Sequence, residues 1–172
     1  AATLIGDTSL SSRPMERVAA PLRAIGARVV TEDGHAPVMV EGSRSLAATA
    51  HELPVASAQV IGALTLAGLA AKGTTTITVP GPTRDHTERM LAWLGAPVRR
   101  EGYTTTVEGP AGFAARTIDV PGDISGAAAW LVAGALHSDA HIVIEEVGLN
   151  PSRTGIIDVL RDMGADIKVA SE

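Results

Sequence analysis

In three segments of the sequence a serine or threonine directly precedes an arginine: Ser12-Arg13, Thr83-Arg84 and Ser152-Arg153. Each lies where an amphipathic helix is predicted to begin. At a helix N-terminus the hydroxyl can cap free N–H groups, the helix dipole is positive, and arginine can bind a carboxylate or phosphate through two hydrogen bonds. The three starts therefore indicate either an anion site or a repeated capping device, and the pattern alone leaves both open.

A more apolar helix begins with polar residues of the same kind. After its first turn, the stretch Val55–Ala70 consists almost wholly of Ala, Leu, Val, Ile and Gly, and a helix that is apolar all round needs neighbours on every side. Ser57 is expected to cap its first turn, and Gln59 lies one step inside. Ser125 has the same place in a second apolar helix, Ile124–Ala135. These polar tips suit an anion, although a serine cap on a buried helix is the simpler interpretation.

The three amphipathic helices belong to an internal repeat. Each ends in a Gly-Ala pair, and Gly26, Gly95 and Gly164 follow one another at equal intervals. A charged strand is predicted after each copy, and the first two copies close on the same Val-Glu-Gly sequence, at Val40 and Val107. The sequence therefore predicts a repeated unit of two helices and several strands.

The predicted strands are polar on one face. Thr74, Thr76 and Thr78 alternate with residues that include Ile77 and Val79, whereas strands covered on both faces read as unbroken apolar runs. We therefore predict an α/β fold with helices inside and sheets outside. The other predicted elements are the strand Thr3–Ile5, a helix from Pro14 to Ile25, the strands Arg28–Glu32 and Pro37–Gly42 around a turn at Asp33-Gly34, and the strand His141–Glu146.

Composition narrows the classes of function. The net charge is −5 with mixed signs, and aromatic residues make up 2% of the chain, which argues against a nucleic-acid-binding protein. Cysteine is absent, which excludes disulfides and thiolate catalysis. The first residues lack the pattern of a signal peptide, and the longest apolar run, Val55–Ala71, is broken by polar residues and glycines, so neither export nor a membrane span is expected.

Other catalytic patterns are weak. There is no G-x-S-x-G elbow, P-loop or dinucleotide-binding glycine motif. His137 and His141 straddle a predicted turn instead of sharing a helix face, so no metal site is expected. Asp119 and Asp123 could form a carboxylate pair, but Asp123 is better interpreted as a helix cap. The segment Asp85–Glu88 resembles a capping box.

Five motifs, taken in order, resemble the EPSP synthase (3-phosphoshikimate 1-carboxyvinyltransferase) family. They are Gly6-Asp7-x-Ser9-Leu10-Ser11-x-Arg13-Pro14-Met15, Ala56-Ser57-Ala58-Gln59-Val60, Thr83-Arg84-Asp85-His86-Thr87-Glu88, Val120-Pro121-Gly122-Asp123-Ile124-Ser125 and Asn150-Pro151-x-Arg153-Thr154-Gly155. The resemblance covers essentially the whole chain. Ala58 after Ser57, together with Thr83-Arg84-Asp85-His86, is similar to the glyphosate-tolerant class II branch.

The resemblance implies a fold and a domain organisation. Members of the family have two domains, each an inside-out α/β barrel of βαβαββ repeats. Residues 1–121 would be part of one domain, with about two repeats, and residues 122–172 would be the start of the second, with a partial repeat. Because the family has more repeats than this chain contains, the resemblance implies a central fragment that is inactive alone.

The resemblance also implies an activity, in which the enolpyruvyl group of phosphoenolpyruvate is transferred to the 5-hydroxyl of shikimate 3-phosphate in aromatic amino acid biosynthesis. The enzyme would be a cytoplasmic monomer without metal or other cofactor. Shikimate 3-phosphate would bind to Ser57, Ala58, Gln59 and Arg84, and phosphoenolpyruvate to Arg13 and Gln59. The family's catalytic Lys, Asp and Glu have no counterpart in this chain. The alternatives are an enolpyruvyltransferase that acts on UDP-N-acetylglucosamine and a non-catalytic anion-binding fragment.

Overall fold

The computed structural model of this chain describes residues 1–43 and 45–170. They form two compact units, Ala1–Arg116 and the part from Thr117 onward. The first unit contains β1 (Ala2–Leu4), α1 (Thr8–Ser11), α2 (Glu16–Ala24), β2 (Arg28–Glu32), β3 (His35–Glu41), β4 (Ala50–Glu52), α3 (Ala58–Ala70), β5 (Gly73–Thr78), α4 (His86–Trp93), β6 (Val98–Glu101) and β7 (Thr104–Gly109). The second contains α5 (Ile124–Leu136) and α6 (Gly155–Asp162).

The first sheet is antiparallel, with strand order β1-β3-β2. β2 and β3 form the predicted hairpin around Asp33 and Gly34, whose φ angles are 48° and 80°. Two successive positive φ angles match the twist of a two-residue hairpin turn, which is why an Asp-Gly pair predicts one. The turn and β2 are confirmed, while β3 begins at His35, earlier than predicted.

The second sheet has the order β4-β5-β7-β6. β4 and β5 are parallel and are connected through α3, whereas the remaining pairs are antiparallel. On β5, Thr75 and Ile77 are fully buried, while Thr74 and Thr78 are exposed. This alternation confirms the predicted strand with one polar face, because successive side chains of a strand point to opposite sides of the sheet.

α3 packs against the inner face of this sheet and against two other helices. It contacts β5, β7, α2 and α4, and Ile61 and Leu64 are its most deeply buried large side chains. Gln59 and Ala70 are exposed, and Leu66 is 53% exposed. The prediction that this helix is covered on every side is therefore wrong for one stripe, which no other described element covers. The helix also begins at Ala58, later than the predicted Val55.

The repeat is confirmed by the way in which three helices end. Gly26, Gly95 and Gly164 follow α2, α4 and α6 with φ angles of 93°, 85° and 97°, a conformation that costs glycine little. The same backbone hydrogen bond, typical of a Schellman motif, closes each helix. The N–H groups of Ala27, Ala96 and Ala165 donate to the carbonyl oxygens of Leu22, Leu91 and Leu160 at 3.1, 2.9 and 3.0 Å.

The second unit has a small core built from two helices. Ile124 and Ala127 of α5 pack with Ile157 of α6. The predicted strand His141–Glu146 is wrong: this segment has no strand conformation, and the described residues of the unit offer only an isolated bridge beside it. A run of Ile and Val favours an extended backbone, but a strand also needs a partner to bond its N–H and C=O groups.

No helix in the described part of the chain has both the length and the apolar character that a membrane crossing requires.

Candidate functional site

The hydroxyl-arginine segments do not cap their helices. α2 begins at Glu16 after Met15, α4 after Asp85, and α6 after Thr154, and none of these N-cap residues has a side-chain capping bond. α2 therefore begins two residues after the predicted start at Pro14. Because each helix begins beyond its hydroxyl-arginine pair, the hydroxyls of Ser12, Thr83 and Ser152 do not reach the first-turn N–H groups, and the capping interpretation of the repeated pattern is wrong.

These hydroxyls have other surroundings. Ser12 Oγ donates to the carbonyl oxygen of Ser9 at 2.9 Å, and Ser152 Oγ donates to Asn150 Oδ1 at 2.7 Å. Thr83 Oγ1 is buried without a hydrogen-bond partner among the residues that the structure describes. Two of the three hydroxyls therefore form local hydrogen bonds, and the third is buried shortly before α4.

Ser57 occupies the N-cap position of α3 with extended backbone angles, φ −138° and ψ 109°, but its hydroxyl makes no capping bond. Ser57 is thus the N-cap residue, as predicted, but the predicted hydrogen bond from its side chain is absent. Asp123 is different, because its Oδ1 accepts a hydrogen bond from Ser125 N at 2.9 Å. The prediction that Asp123 caps the second apolar helix is confirmed.

The capping-box interpretation of Asp85–Glu88 is also wrong. Glu88 is 4% exposed and its Oε1 accepts from Arg100 Nη1 at 2.9 Å, while Thr105 Oγ1 approaches the same oxygen at 3.4 Å. A glutamate in a capping box instead reaches back to the N-cap N–H. Glu88 thus joins α4 to β6 and β7, a role for which the sequence offers no local signal.

Arg13 and Arg84 are exposed, and the guanidinium group of neither has an ion-pair or hydrogen-bond partner within residues 1–43 and 45–170. Arg13 lies between α1 and α2, and Arg84 directly precedes the N-cap residue of α4. Unpaired guanidinium groups beside helix N-termini provide positive potential and bidentate donors for an anion.

Most other arginines are engaged within the protein. Those with partners among the described residues are Arg17 with Gln59, Arg23 with Glu16, Arg28 with Glu41, Arg89 with Asp85, Arg99 with Glu108, Arg100 with Glu88, Arg116 with the Trp93 ring, Arg153 with Asp123, and Arg161 with the carbonyl oxygen of Ile167. The two arginines that the sequence singles out in the first unit therefore differ from the rest.

Arg153 does not share this property. Its Nη2 contacts Asp123 Oδ1 at 3.0 Å and also donates to Ser125 Oγ, so the third predicted anion-binding arginine binds a carboxylate of its own unit. In this structure Arg153 therefore bonds to Asp123 and Ser125 of its own unit, and the expectation that Ser152-Arg153 and Ser125 contribute to an anion site stays a prediction. The contact instead joins the start of α6 to the start of α5.

The first turn of α2 is linked to the first turn of α3. Arg17 Nη2 donates to Gln59 Oε1 at 3.0 Å, and both residues are exposed. This contact joins residues 42 positions apart in sequence. The sequence singles out Gln59 but gives no indication of Arg17, because the pairing depends on how two helices pack.

The first turn of α4 also lies against α3. A β-carbon built at Gly62 would lie 3.2 Å from Thr87 Oγ1, so the absence of a side chain at Gly62 allows this close approach. Arg84 precedes this turn, and Ala58, half-buried, begins α3. The N-terminal parts of α2, α3 and α4 therefore gather in one region. No hydrogen bond joins Arg13 or Arg84 to Gln59 in the described chain.

Side-chain hydrogen bonds join the two ends of α2 to each other and to β2. Arg23 Nη1 contacts Glu16 Oε2 at 2.8 Å, Thr31 Oγ1 donates to Glu16 Oε1, and Arg23 Nε donates to the carbonyl oxygen of Val29 at 2.6 Å. The hydrogen bond from Arg23 holds the pKa of Glu16 below its ordinary value. The Glu16 carboxylate at the start of α2 is therefore already paired with Arg23.

The described residues contain no group of three or more His, Cys, Asp or Glu side chains placed to hold a metal ion.

Comparison with known proteins identifies the family. The family model described as EPSP synthase (3-phosphoshikimate 1-carboxyvinyltransferase) matches residues 1–172. The 3-phosphoshikimate 1-carboxyvinyltransferases of Alkalilimnicola ehrlichii and Methylococcus capsulatus are 54% and 50% identical to the chain over 171 and 168 residues, which are 99% and 97% of the chain and 38% of each relative.

A solved structure agrees with these matches. EPSP synthase from Acinetobacter baumannii superimposes with a TM-score of 0.90 at 47% identity, covering 99% of this chain and 39% of that one. The predicted inside-out α/β fold is confirmed. The chain spans about 38% of the length of the curated relatives that it matches, and it belongs to the EPSP synthase (3-phosphoshikimate 1-carboxyvinyltransferase) family.

Proposed function

We propose that the complete protein containing this chain transfers the enolpyruvyl group of phosphoenolpyruvate to the 5-hydroxyl of shikimate 3-phosphate. Both substrates are anions that carry a phosphate group. The observation that carries the proposal is the gathering of three helix N-termini with Arg13 and Arg84 left unpaired. Helix N-termini and arginine forks are the groups that bind phosphate and carboxylate most effectively in proteins.

In this proposal, Ser57, Ala58, Gln59 and Arg84 bind shikimate 3-phosphate, and Arg13 and Gln59 bind phosphoenolpyruvate. The missing capping bond supports the role of Ser57, because its hydroxyl has no competing partner in the helix. Ala58 would contribute the backbone N–H of the first helical residue, since its side chain has no polar atom. The protein would act in the cytoplasm as a monomer without a cofactor.

We also propose that residues 1–121 and 122–172 belong to two different domains of the complete enzyme and that the chain is inactive alone. The site residues named above bind and orient anions, whereas transfer also needs groups that move protons in the transition state. As an isolated polypeptide the chain would therefore bind anions without catalysis. Release of phosphate from phosphoenolpyruvate by the chain alone, lost in Arg13→Ala, would contradict this.

The test uses a hybrid protein, defined as the Alkalilimnicola ehrlichii relative with its matching part replaced by this chain. The hybrid is expected to consume shikimate 3-phosphate and phosphoenolpyruvate but not UDP-N-acetylglucosamine. Arg84→Ala and Gln59→Ala should each weaken shikimate 3-phosphate binding by roughly ten- to a hundredfold, because each removes a hydrogen bond to a charged group. Titration calorimetry measures these affinities.

Arg28→Ala is the matched control, since it removes the same charge from an exposed pair with Glu41 on the first sheet. Its affinity for shikimate 3-phosphate should equal that of the unaltered hybrid. Turnover with UDP-N-acetylglucosamine alone would contradict the choice of substrate. Unchanged affinity in both Arg84→Ala and Gln59→Ala would contradict the site.

A further inference from the structure

The contact between Arg17 and Gln59 determines which way the Gln59 amide faces. A guanidinium group has only donors, so the atom of Gln59 that lies 3.0 Å from Arg17 Nη2 must be the acceptor, Oε1. The two N–H groups on Nε2 are then turned away from Arg17. A glutamine without such a neighbour can present either end of its amide.

The orientation matters because the proposed ligands are anions. A phosphate or carboxylate oxygen accepts hydrogen bonds, so it is attracted by Nε2 and repelled by Oε1. Arg17 has no ion-pair partner among the residues described here, so its charge is not neutralised and it polarises the amide that it holds. A polarised amide is a stronger donor at its far end.

We propose that Arg17 is a positioning residue that fixes the Gln59 amide with its N–H groups available to the phosphorylated ligand, and that it acts through Gln59 instead of touching the ligand. This inference rests on the proposed function, since it needs Gln59 to bind substrate. It adds a residue that the sequence motifs do not indicate. Arg17 lies on α2 and Gln59 on α3, so the packing of these helices sets the geometry of the donor.

A double-mutant cycle in the hybrid protein tests the inference, with shikimate 3-phosphate as the titrated ligand. Arg17→Ala should weaken binding by about three- to tenfold, the effect of losing the fixed orientation of one hydrogen bond. In the Gln59→Ala background, the same Arg17→Ala change should have no further effect. Arg17→Lys, which keeps a charged donor, should restore most of the affinity.

The controls separate positioning from structural damage. Thermal melts of all variants should coincide with the unaltered hybrid, since both side chains are exposed. Arg28→Ala removes the same charge elsewhere on the first unit and should leave the affinity for shikimate 3-phosphate unchanged. If Arg28→Ala weakened binding as much as Arg17→Ala, the loss of affinity would be an effect of net charge, and the inference would be overturned.

The remaining outcomes distinguish two failures. Equal losses from Arg17→Ala in the presence and absence of Gln59 would show that Arg17 acts independently of Gln59, which overturns the inference and leaves the proposed function standing. Unchanged affinity in Gln59→Ala alone would overturn both the assignment of Gln59 as a ligand residue and the role of Arg17.

Discussion

Gly109, the last residue of β7, lies directly against the carbonyl oxygen of Gly68 in α3. A β-carbon at position 109 would overlap that oxygen and the carbonyl oxygen of Ala71 as well. Both obstacles are backbone atoms, so no side-chain rotation could relieve the overlap. The contact sets how closely the second sheet and its covering helix approach each other.

Gly109→Ala is therefore expected to lower the free energy of unfolding by about 3 kcal/mol, because one extra methyl group must displace backbone. Gly112→Ala is the matched control, since nothing lies within 4 Å of a β-carbon at that position. The control should be neutral or slightly stabilising. Denaturant titrations of the two hybrid variants measure the difference, and equal stabilities would contradict the prediction.

The ion pair between Glu88 and Arg100 should be costly to break. Glu88 is 4% exposed, and removing Arg100 would leave the buried Glu88 carboxylate without its ion-pair partner. We expect Arg100→Ala to destabilise the protein by about 3–5 kcal/mol. Arg99→Ala, one residue away, breaks an exposed pair with Glu108 at 3.7 Å and should cost less than about 1 kcal/mol. Equal losses in the free energy of unfolding in Arg99→Ala and Arg100→Ala would contradict the prediction.

Stability should fall with acid in a window set by His51. This side chain is buried on β4, its Nε2 has no partner among the described residues, and burial lowers its pKa from the ordinary value of 6.5. The unfolded chain therefore takes up a proton more readily than the folded one. The stability that depends on His51 being neutral is fully present above pH 6.5 and decreases as the pH falls below 6.5. The decrease levels off below the lowered pKa of His51 in the folded protein.

The measurement is the free energy of unfolding of the hybrid at a series of pH values. His51→Leu should flatten the dependence just below pH 6.5, because Leu does not titrate. His86→Gln changes an exposed histidine and serves as the control. A slope in this window that is the same in His51→Leu as in the unaltered hybrid would contradict the assignment to His51.

Ser57→Ala should separate binding from stability. Because the Ser57 hydroxyl makes no capping bond, we expect its loss to change the free energy of unfolding by less than about 0.5 kcal/mol. Asp7→Ala removes a real cap, the bond from Leu10 N to Asp7 Oδ1 at 2.8 Å, and should cost about 1 kcal/mol. Shikimate 3-phosphate binding should weaken only in Ser57→Ala. A stability loss in Ser57→Ala as large as in Asp7→Ala would refute this.

The parts of the fold that depend on local chemistry could be predicted from the sequence. The hairpin at Asp33-Gly34 and the helix end at Gly26 require positive φ angles, and the residues that adopt them most readily mark those positions. The alternating threonines of β5 likewise indicate which face is buried. These features follow from residue type and spacing within a few positions of the chain.

The features that could not be predicted depend on packing between distant segments. A serine or threonine before a helix signals a cap only if the backbone places its oxygen over the first turn, and at Ser57 it does not. The partners of Glu88 and Arg153 lie on other elements of their units. The contact between Arg17 and Gln59 exists because α2 packs on α3.

The order of strands in the second sheet has a consequence for self-association. β6 ends the described sheet, and its sequence Val98-Arg99-Arg100-Glu101 is charged at every position after the first. The opposite end is β4, which has only three residues. Short strands and charged side chains are poor templates for pairing with another chain. Neither end of the described second sheet therefore favours edge-to-edge pairing with another chain.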